Sequence, residues 1–366
     1  MSFLVGHYTC NVETKRATMF IPATMEAMLY DSKSNVHDEL FMSWDKTHPV
    51  PALGRNEVLI KTAGASLNPY DFRVSESAPM MMAYNHTPVG CDVAGEIVAV
   101  GSNVEKEHQF RVGDRVFGFG HGIASYAKTD VHRISKIPTG LDPEKFGAYP
   151  CVGVTVYQLL HKYWFDRKDF QVRSILMIGA SGGVGSALIQ MTRALAGPEI
   201  RIYGICSLKN SEYCRSLGAN EIFDYTQINF DPAKVLPEKS IDLVIDCISG
   251  TPEGTSYVGP VASTLLSQAG KYVTLNTLSK LEFVSAWFTN VTGLHFRESQ
   301  YEFFVVNRDN TSDCLIEIAS LISKGQLGLS IEREIPFEEH AIREAYQKLR
   351  TRHMRGKILV SHTQKS

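Results

Sequence analysis

The run Gly179-Ala180-Ser181-Gly182-Gly183-Val184-Gly185 constrains this chain more than any other part of its sequence. It stands directly behind the apolar stretch Ile175-Leu176-Met177-Ile178. It opens a segment, Val184 to Leu195, whose apolar spacing predicts a helix. A strand, a glycine turn and a helix in that order are the first unit of a doubly wound parallel sheet. The small residues have separate reasons. Gly182 lets a pyrophosphate approach the backbone, and Gly185 lets the helix lie close on the strand. Ala180 stands where the usual pattern has its first glycine. The helix then offers free N–H groups and a partial positive charge to phosphate. The expected dinucleotide cradle is therefore Ala180, Ser181, Gly182, Gly183, Val184 and Gly185. A glycine turn that binds nothing is the plainer reading, and the surrounding strand-helix pattern argues against it.

That pattern continues downstream. Ile200 to Ile205 reads as a strand, Ser211 to Leu217 as a helix, and Ile241 to Asp246 and Lys271 to Leu275 as strands. Upstream the texture differs. Glu57-Val58-Leu59-Ile60-Lys61-Thr62, Glu96-Ile97-Val98-Ala99-Val100 and the turn and strand Gly113 to Gly118 are short strands divided by Gly and Pro. Phe303 to Val306 reads as a strand and Cys314 to Ser323 as a helix. The expected organisation is α/β. A β-rich first part spans 1–151 with an arm at 1–24, a doubly wound parallel-sheet cofactor domain spans 152–298, and 299–366 return to the first part.

The stretch after the second parallel strand selects the cofactor. A site for NAD places a carboxylate roughly 20 residues on, against the ribose 2′-hydroxyl. Here the chain reads Tyr203-Gly204-Ile205-Cys206-Ser207-Leu208-Lys209-Asn210, with no carboxylate between Glu199 and Glu212. Ser207 can donate to a 2′-phosphate, Lys209 can supply charge, and Asn210 closes the stretch. Tyr225 can cover the same pocket. These residues favour NADPH over NADH. A solvated lysine and an ordinary strand-end tyrosine are the plainer readings of Lys209 and Tyr225.

Bulk properties set the partner class. At 366 residues and a net charge of −2, the chain suits two domains and has no field that gathers nucleic acid or anionic membrane. A small-molecule partner is expected. No apolar run reaches the ~20 residues of a membrane span, and the N-terminus does not read as a secretory signal. The seven cysteines are odd in number and scattered, which suits free thiols in the cytosol.

Several separate stretches resemble the quinone oxidoreductase branch of the medium-chain dehydrogenase/reductases, in particular its divergent fungal members. Leu67-Asn68-Pro69-Tyr70-Asp71 is similar to its L-N-P-x-D. Gly90-Cys91-Asp92-Val93-Ala94-Gly95-Glu96-Ile97-Val98 is similar to its G-x-D-x-x-G-x-V, and Val112-Gly113-Asp114-Arg115-Val116 to its V-G-D-R-V. The Gly182 run, the segment Asp242 to Gly250 and the closing Arg355-Gly356-Lys357-Ile358-Leu359-Val360 follow in the family's order. The resemblance runs from about Met25 to Val360. It implies a GroES-like catalytic domain in two pieces around a Rossmann domain, a cleft holding nicotinamide and substrate, and a homodimer, often joined through Rossmann edge strands.

Zinc-dependent relatives hold their catalytic metal with Cys, His and Cys. The matching positions resemble Asn68, Cys91 and Cys151, and an amide is a poor zinc ligand. No metal is expected, although two thiols beside Asp92 leave an atypical zinc alcohol dehydrogenase as an alternative. Without a Lewis acid, the substrate must bring its own electrophilicity. Quinones, α,β-unsaturated ketones and aldehydes, and reactive aldehydes do so. The expected chemistry is hydride transfer from NADPH to such an acceptor.

By the same resemblance, Asn68 faces the nicotinamide, Asp71 orders its loop and Tyr70 is a candidate proton donor. Asn68-Pro69 as a plain turn and Asp71 as a plain helix cap compete with that reading. Thr155 can reach the cofactor and Tyr157 can line the cleft. Cys247, Ser249, Asn276 and Thr277 follow the ends of parallel strands, where ligands bind. Lys357 can reach the cofactor, His121 can act as a cleft acid, and Met80-Met81-Met82 with Tyr84 can form a substrate loop. The aromatic stretch Phe283, Trp287, Phe288, Phe296, Tyr301, Phe303 and Phe304 is expected to serve core and dimer contacts. A third class stays open, a cofactor-binding interaction module without turnover.

Overall fold

A strand buried on both faces is mostly apolar and must pair any polar side chain it carries; Ser174–Ile178 and Ile241–Asp246 are buried along their whole length, with Ser174, Asp242 and Asp246 hydrogen-bonded. They form the centre of the molecule. The computed structural model describes residues 20–33, 41–76, 78–107, 109–168, 170–249, 257–276 and 300–363. In chain order the strands are β1 (Thr24–Tyr30), β2 (Met42–Pro49), β3 (Glu57–Ser66), β4 (Asp92–Val100) and β5 (Arg115–Phe119). Then come β6 (Tyr126–Asp130), β7 (Ile134–Lys136), β8 (Ser174–Ile178), β9 (Arg201–Cys206) and β10 (Glu221–Asp224). The last are β11 (Ile241–Asp246), β12 (Leu266–Thr274), β13 (Tyr301–Phe303), β14 (Ile331–Pro336) and β15 (Lys357–Ser361).

Among the described residues, six parallel strands pair in the order β10-β9-β8-β11-β12-β13. The order reverses between β8 and β11, and a doubly wound sheet binds ligands at the carboxyl ends that flank such a reversal. A second, mostly antiparallel sheet runs β14-β15-β3-β4-β5-β7, with β6 on β3. β1 and β2 form a separate ribbon. This is the Rossmann sheet beside a β-rich GroES-like domain. β14 and β15 come from the end of the chain and join strands from its beginning.

The helix Gly183–Ala196 begins where expected. Gly182 caps it in an extended conformation, and Gly197, at φ +81, ends it. Its buried face carries Ala187, Leu188 and Met191. One apolar cluster continues across both sheets. It includes Cys91, Phe117 and Phe146 on the catalytic side, and Ile175, Met177 and Ile245 on the nucleotide side. The helix Pro150–Leu160 lies between them and supplies Val152, Val154, Val156, Leu159 and Leu160.

Two elements depart from expectation. β12 begins five residues earlier than the apolar pattern suggests. β13 is Tyr301–Phe303 rather than Phe303 to Val306, and it pairs with β12 in the parallel sheet, beyond residue 298. Phe304, just past the strand, is buried in the core. Of the arm at 1–24, residues 1–19 lie outside the described residues, as do Phe283, Trp287, Phe288 and Phe296. No described helix is long and apolar enough to cross a membrane.

Candidate active site

The carboxyl edge of the parallel sheet holds the glycine run. Gly179 turns at φ +88, and its N–H and that of Ala180 both donate to the Ile205 carbonyl at 3.0 Å. A Cβ on Gly185 would lie 2.4 Å from the Gly179 carbonyl oxygen, so this glycine is required by helix-strand packing. A Cβ on Gly182 would meet nothing nearer than 3.4 Å. Protein atoms therefore do not demand that glycine, and an open cradle at the helix start does, which fits a diphosphate. Gly183 lies against the Lys357 stem and Val152. Val184 is packed beside the core.

Ser181, Ser207 and Asn210 meet. The Asn210 amide donates to Ser181 Oγ at 3.2 Å and to Ser207 Oγ at 3.3 Å. Lys209 lies between them in the short helical turn Leu208–Asn210, with its side chain in solvent. Tyr225 is 39% exposed, and its N–H donates to the Cys206 carbonyl, so it borders the same end of β9. A residue that the sequence reading passed over fixes this corner. Asp224 accepts from Leu208 N at 3.0 Å and from Thr226 N and Oγ1. Hydrogen bonds from Thr226 and Leu208 outweigh its desolvation and hold its pKa down. This carboxylate is committed to protein donors and shapes the turn that carries Ser207 and Lys209.

Across the reversal, Asp246 accepts from Ile248 N and Ser249 N and takes the Tyr272 hydroxyl. The Cys247 N–H donates to the Ile178 carbonyl, and the Asn276 amide to the Cys247 carbonyl at 2.8 Å. Cys247 and Asn276 thus border the glycine turn. Ser249 is buried and accepts from Tyr257 N. Thr277 lies outside the described residues.

The second half of the site is a buried polar knot where β3 ends and β4 and β15 begin. Asn68 Nδ2 donates to Asp92 Oδ2 at 2.8 Å and to the Ser66 carbonyl at 3.2 Å, and touches Cys91 Sγ at 3.4 Å. Its Oδ1 accepts from Lys357 Nζ at 2.6 Å. A carboxylate on one side and an ammonium on the other fix which way this amide faces. Lys357 also donates to the Leu67 carbonyl and lies 3.7 Å from Asp92 Oδ2. Asp92 further accepts the Ser66 hydroxyl and, at 2.7 Å, Cys151 N. Both donors of Asn68 are thus spent on protein, which leaves it a positioning role. Asp92 is the hub; in the sequence it stood out only as part of the Gly90 to Val98 motif and beside the thiols.

Asp71 completes this corner. Its Oδ2 accepts from Asn68 N and from the Tyr346 hydroxyl, both at 2.9 Å, while its buried Oδ1 has no partner. The bond to Asn68 N is half of a capping box for the helix Pro69–Glu76. Burial pushes Asp71 up to about 7, with Asp92 adding to the effect. Thr155 gives its hydroxyl to the Cys151 carbonyl at 2.6 Å, and Tyr157 stacks on His161. Burial takes His121 down to about 4, so its imidazole is uncharged at neutral pH, which argues against a cleft acid. Met81 is core, Met82 is exposed, and Tyr84 and Met80 pack beside the core.

The two halves touch through Gly356 and Lys357. Gly356, at φ +72, gives its N–H to the Ser181 carbonyl at 2.9 Å and pairs with Gly182. The glycine turn and the polar knot are therefore contiguous.

A metal fits this knot poorly. Cys91, Asp92 and Cys151 bring their ligand atoms within 4.8 Å of one another. The Asp92 oxygens already serve three donors, and an ammonium is seated between Asn68 and Asp92. The hydrogen bond with Cys151 and burial push the Cys91 thiol up, away from the thiolate that zinc needs.

Comparisons with known proteins agree with this architecture. A family model described as alcohol dehydrogenase GroES-like domain matches residues 54–155, and one described as zinc-binding dehydrogenase matches 217–360. A trans-enoyl reductase of Aspergillus terreus is 28% identical over 365 residues, covering 93% of this chain and 97% of that protein. A mitochondrial NAD(P)H oxidoreductase of Bos taurus is 26% identical over 343 residues, covering 84% and 82%. Among solved structures, the quinone oxidoreductase from Coxiella burnetii superposes with a TM-score of 0.74 at 22% identity, covering 93% of this chain and 99% of that one.

Proposed function

Because the chain belongs to the medium-chain dehydrogenase/reductases, in their quinone oxidoreductase-like group, we propose that it is a zinc-independent, NADPH-dependent reductase of activated carbonyl acceptors. The coarser statement, an NAD(P)H-dependent oxidoreductase, stands on that membership alone. The observation that carries the finer reading is Lys357 seated on Asn68 and Asp92, directly beside the glycine cradle. An ammonium there takes the place of a cationic metal.

Bound dinucleotide supplies a hydride. Ala180 to Gly185 would hold its diphosphate, Ser207, Lys209 and Asn210 would receive the 2′-phosphate, and Tyr225 would cover them. Cys247 and Asn276 would border the path towards nicotinamide, and Thr155 and Lys357 would flank it. Asn68 fixes the floor, and Asp71 fixes Asn68. An enone, enal or quinone already withdraws charge from the carbon attacked, so no Lewis acid is needed. The enolate left on an enone is quenched by Tyr70, whose proton burial keeps in place. The free thiols of the described cysteines suit a reducing compartment, with the cytosol as the default. A homodimer joined through the edge of the parallel sheet is part of the same proposal.

The test is a titration with NADPH and NADH, then an acceptor panel of quinones, enals, enones and aldehydes, with zinc measured on the purified chain. Tighter NADPH binding and metal-free turnover of enones or quinones is the expected outcome. Tighter NADH binding refutes the role of Ser207 and Lys209. One retained zinc per chain favours the second reading, a metal alcohol dehydrogenase built on Cys91, Asp92 and Cys151.

A further inference from the structure

Arg308 was invisible as a site residue in the sequence. It follows β13 on a segment pinned from two sides. Asn307 N donates to Gln158 Oε1 at 2.9 Å, and Gln158 Nε2 returns a bond to the Asn307 carbonyl at 2.7 Å. Asp309 pairs with Arg133, and Thr311 N donates to the His132 carbonyl. Held in this way, the guanidinium reaches a residue 238 positions earlier. Its Nη2 donates to the Tyr70 hydroxyl at 2.8 Å and to the Tyr84 hydroxyl at 3.4 Å, and its carbon lies 4.5 Å from the Tyr70 ring centre. Among the described residues no carboxylate pairs with it. A half-buried guanidinium is costly without an anion, and the group it is fitted to is a phenol.

We propose that Arg308 is a positioning residue that holds Tyr70 and carries the countercharge of the phenolate formed when Tyr70 protonates the substrate. The inference rests on the enone-reductase reading above. The acceptor's β-carbon takes a hydride from the reduced nicotinamide, and its C=C π pair moves to the α-carbon and carbonyl oxygen. The Tyr70 O–H bond then breaks, an α-C–H bond forms, and the electron pair remains on the phenolate oxygen beside Arg308. Water returns the proton. The charged and titratable groups around the phenol are Arg308, Tyr84, Cys91 and Tyr30. Only the guanidinium among them favours the phenolate. Burial pushes Tyr70 up, and Arg308 opposes that rise.

Two readouts test this. The first needs neither cofactor nor substrate. Tyr70 is exchanged for difluorotyrosine, and its ionisation is followed by ultraviolet absorbance in otherwise intact protein. Arg308→Gln should raise the midpoint by about one pH unit, a tenfold fall in acidity, and Arg308→Lys should restore part of it. A midpoint that does not move overturns the proposal. The second is turnover of an enone. Arg308→Gln should lower kcat about a hundredfold with little change in KM, and adding Tyr70→Phe should lower it no further. Additive losses overturn the coupling. If the unaltered protein reduces no enone, the function proposed above fails, while the titration still judges Arg308. If Arg308→Gln does not fold, Arg308→Lys still gives both readouts: its kcat should lie between those of the unaltered protein and Tyr70→Phe, and its midpoint above that of the unaltered protein.

Discussion

At the scale of single residues, Asp71 has one oxygen bonded twice and the other bonded to nothing. Its environment predicts how stability depends on pH. The ordinary value of 3.8 is pushed up by burial to about 7. Between these values the unfolded chain releases a proton that the folded chain keeps. Stability therefore falls as pH rises from about 4 to about 7 and is level above. The full span corresponds to a few kcal/mol. Asp71→Asn removes the slope, whatever constant cost its amide brings. Melting temperatures of both proteins from pH 5 to 8 check this, and parallel curves would assign the slope elsewhere. Lys209 gives a separate test. Its exposed ammonium is expected to act only on a 2′-phosphate, so Lys209→Ala should weaken NADPH about tenfold and leave NADH unchanged. Calorimetric titration with both dinucleotides measures this, and equal losses would remove Lys209 from the phosphate site.

At the scale of elements, the glycines of the turn separate two roles that one motif merges. A methyl at Gly185 collides with the Gly179 and Ala180 carbonyls at 2.4 and 2.6 Å, whereas one at Gly182 projects into the cradle. Gly185→Ala should cost about 1–3 kcal/mol through overpacking. Gly182→Ala should keep its melting temperature and lose cofactor affinity at least tenfold. Thermal unfolding and dinucleotide binding measured on both variants decide it, and a stable Gly185→Ala would contradict the packing argument. The turn was legible because strand, glycines and helix are contiguous, and β8 and β11 because each carries a short apolar run, Ile175 to Ile178 and Leu243 to Ile245. β12 was read short because Ser267 and Gln268 hide its beginning. β13 was misplaced because Phe304 and Val306 are apolar for the core, outside the ladder. Periodicity reports burial, and burial does not always mean pairing.

At the scale of the molecule, what sequence could not show is who meets whom. Asn68, Tyr70 and Asp71 share one short segment and could be proposed together. Their partners Lys357, Arg308 and Tyr346 lie 289, 238 and 275 residues away. Only the return of β14 and β15 to β3 brings Lys357 and Tyr346 there. Lys357 then spans both halves, with its stem against Gly183 and its ammonium on Asn68 and near Asp92. Lys357→Met keeps the apolar stem and removes the charge, leaving the Asp92 carboxylate buried without its cation. Breaking such a pair from one side costs about 3–5 kcal/mol. Adding Asp92→Asn removes the stranded charge, so the double variant should be more stable than the sum of its single losses by more than about 1 kcal/mol. Denaturant unfolding of the four proteins gives that coupling, and simple additivity would mean that the pair carries no net interaction. The same cycle read by hydrogen exchange reports on the link between the sheets. One apolar cluster crosses both and Gly356 is bonded to Ser181, so Lys357→Met should loosen β3 and β8 together. Loosening confined to β3 would show that the cradle stands without the catalytic half.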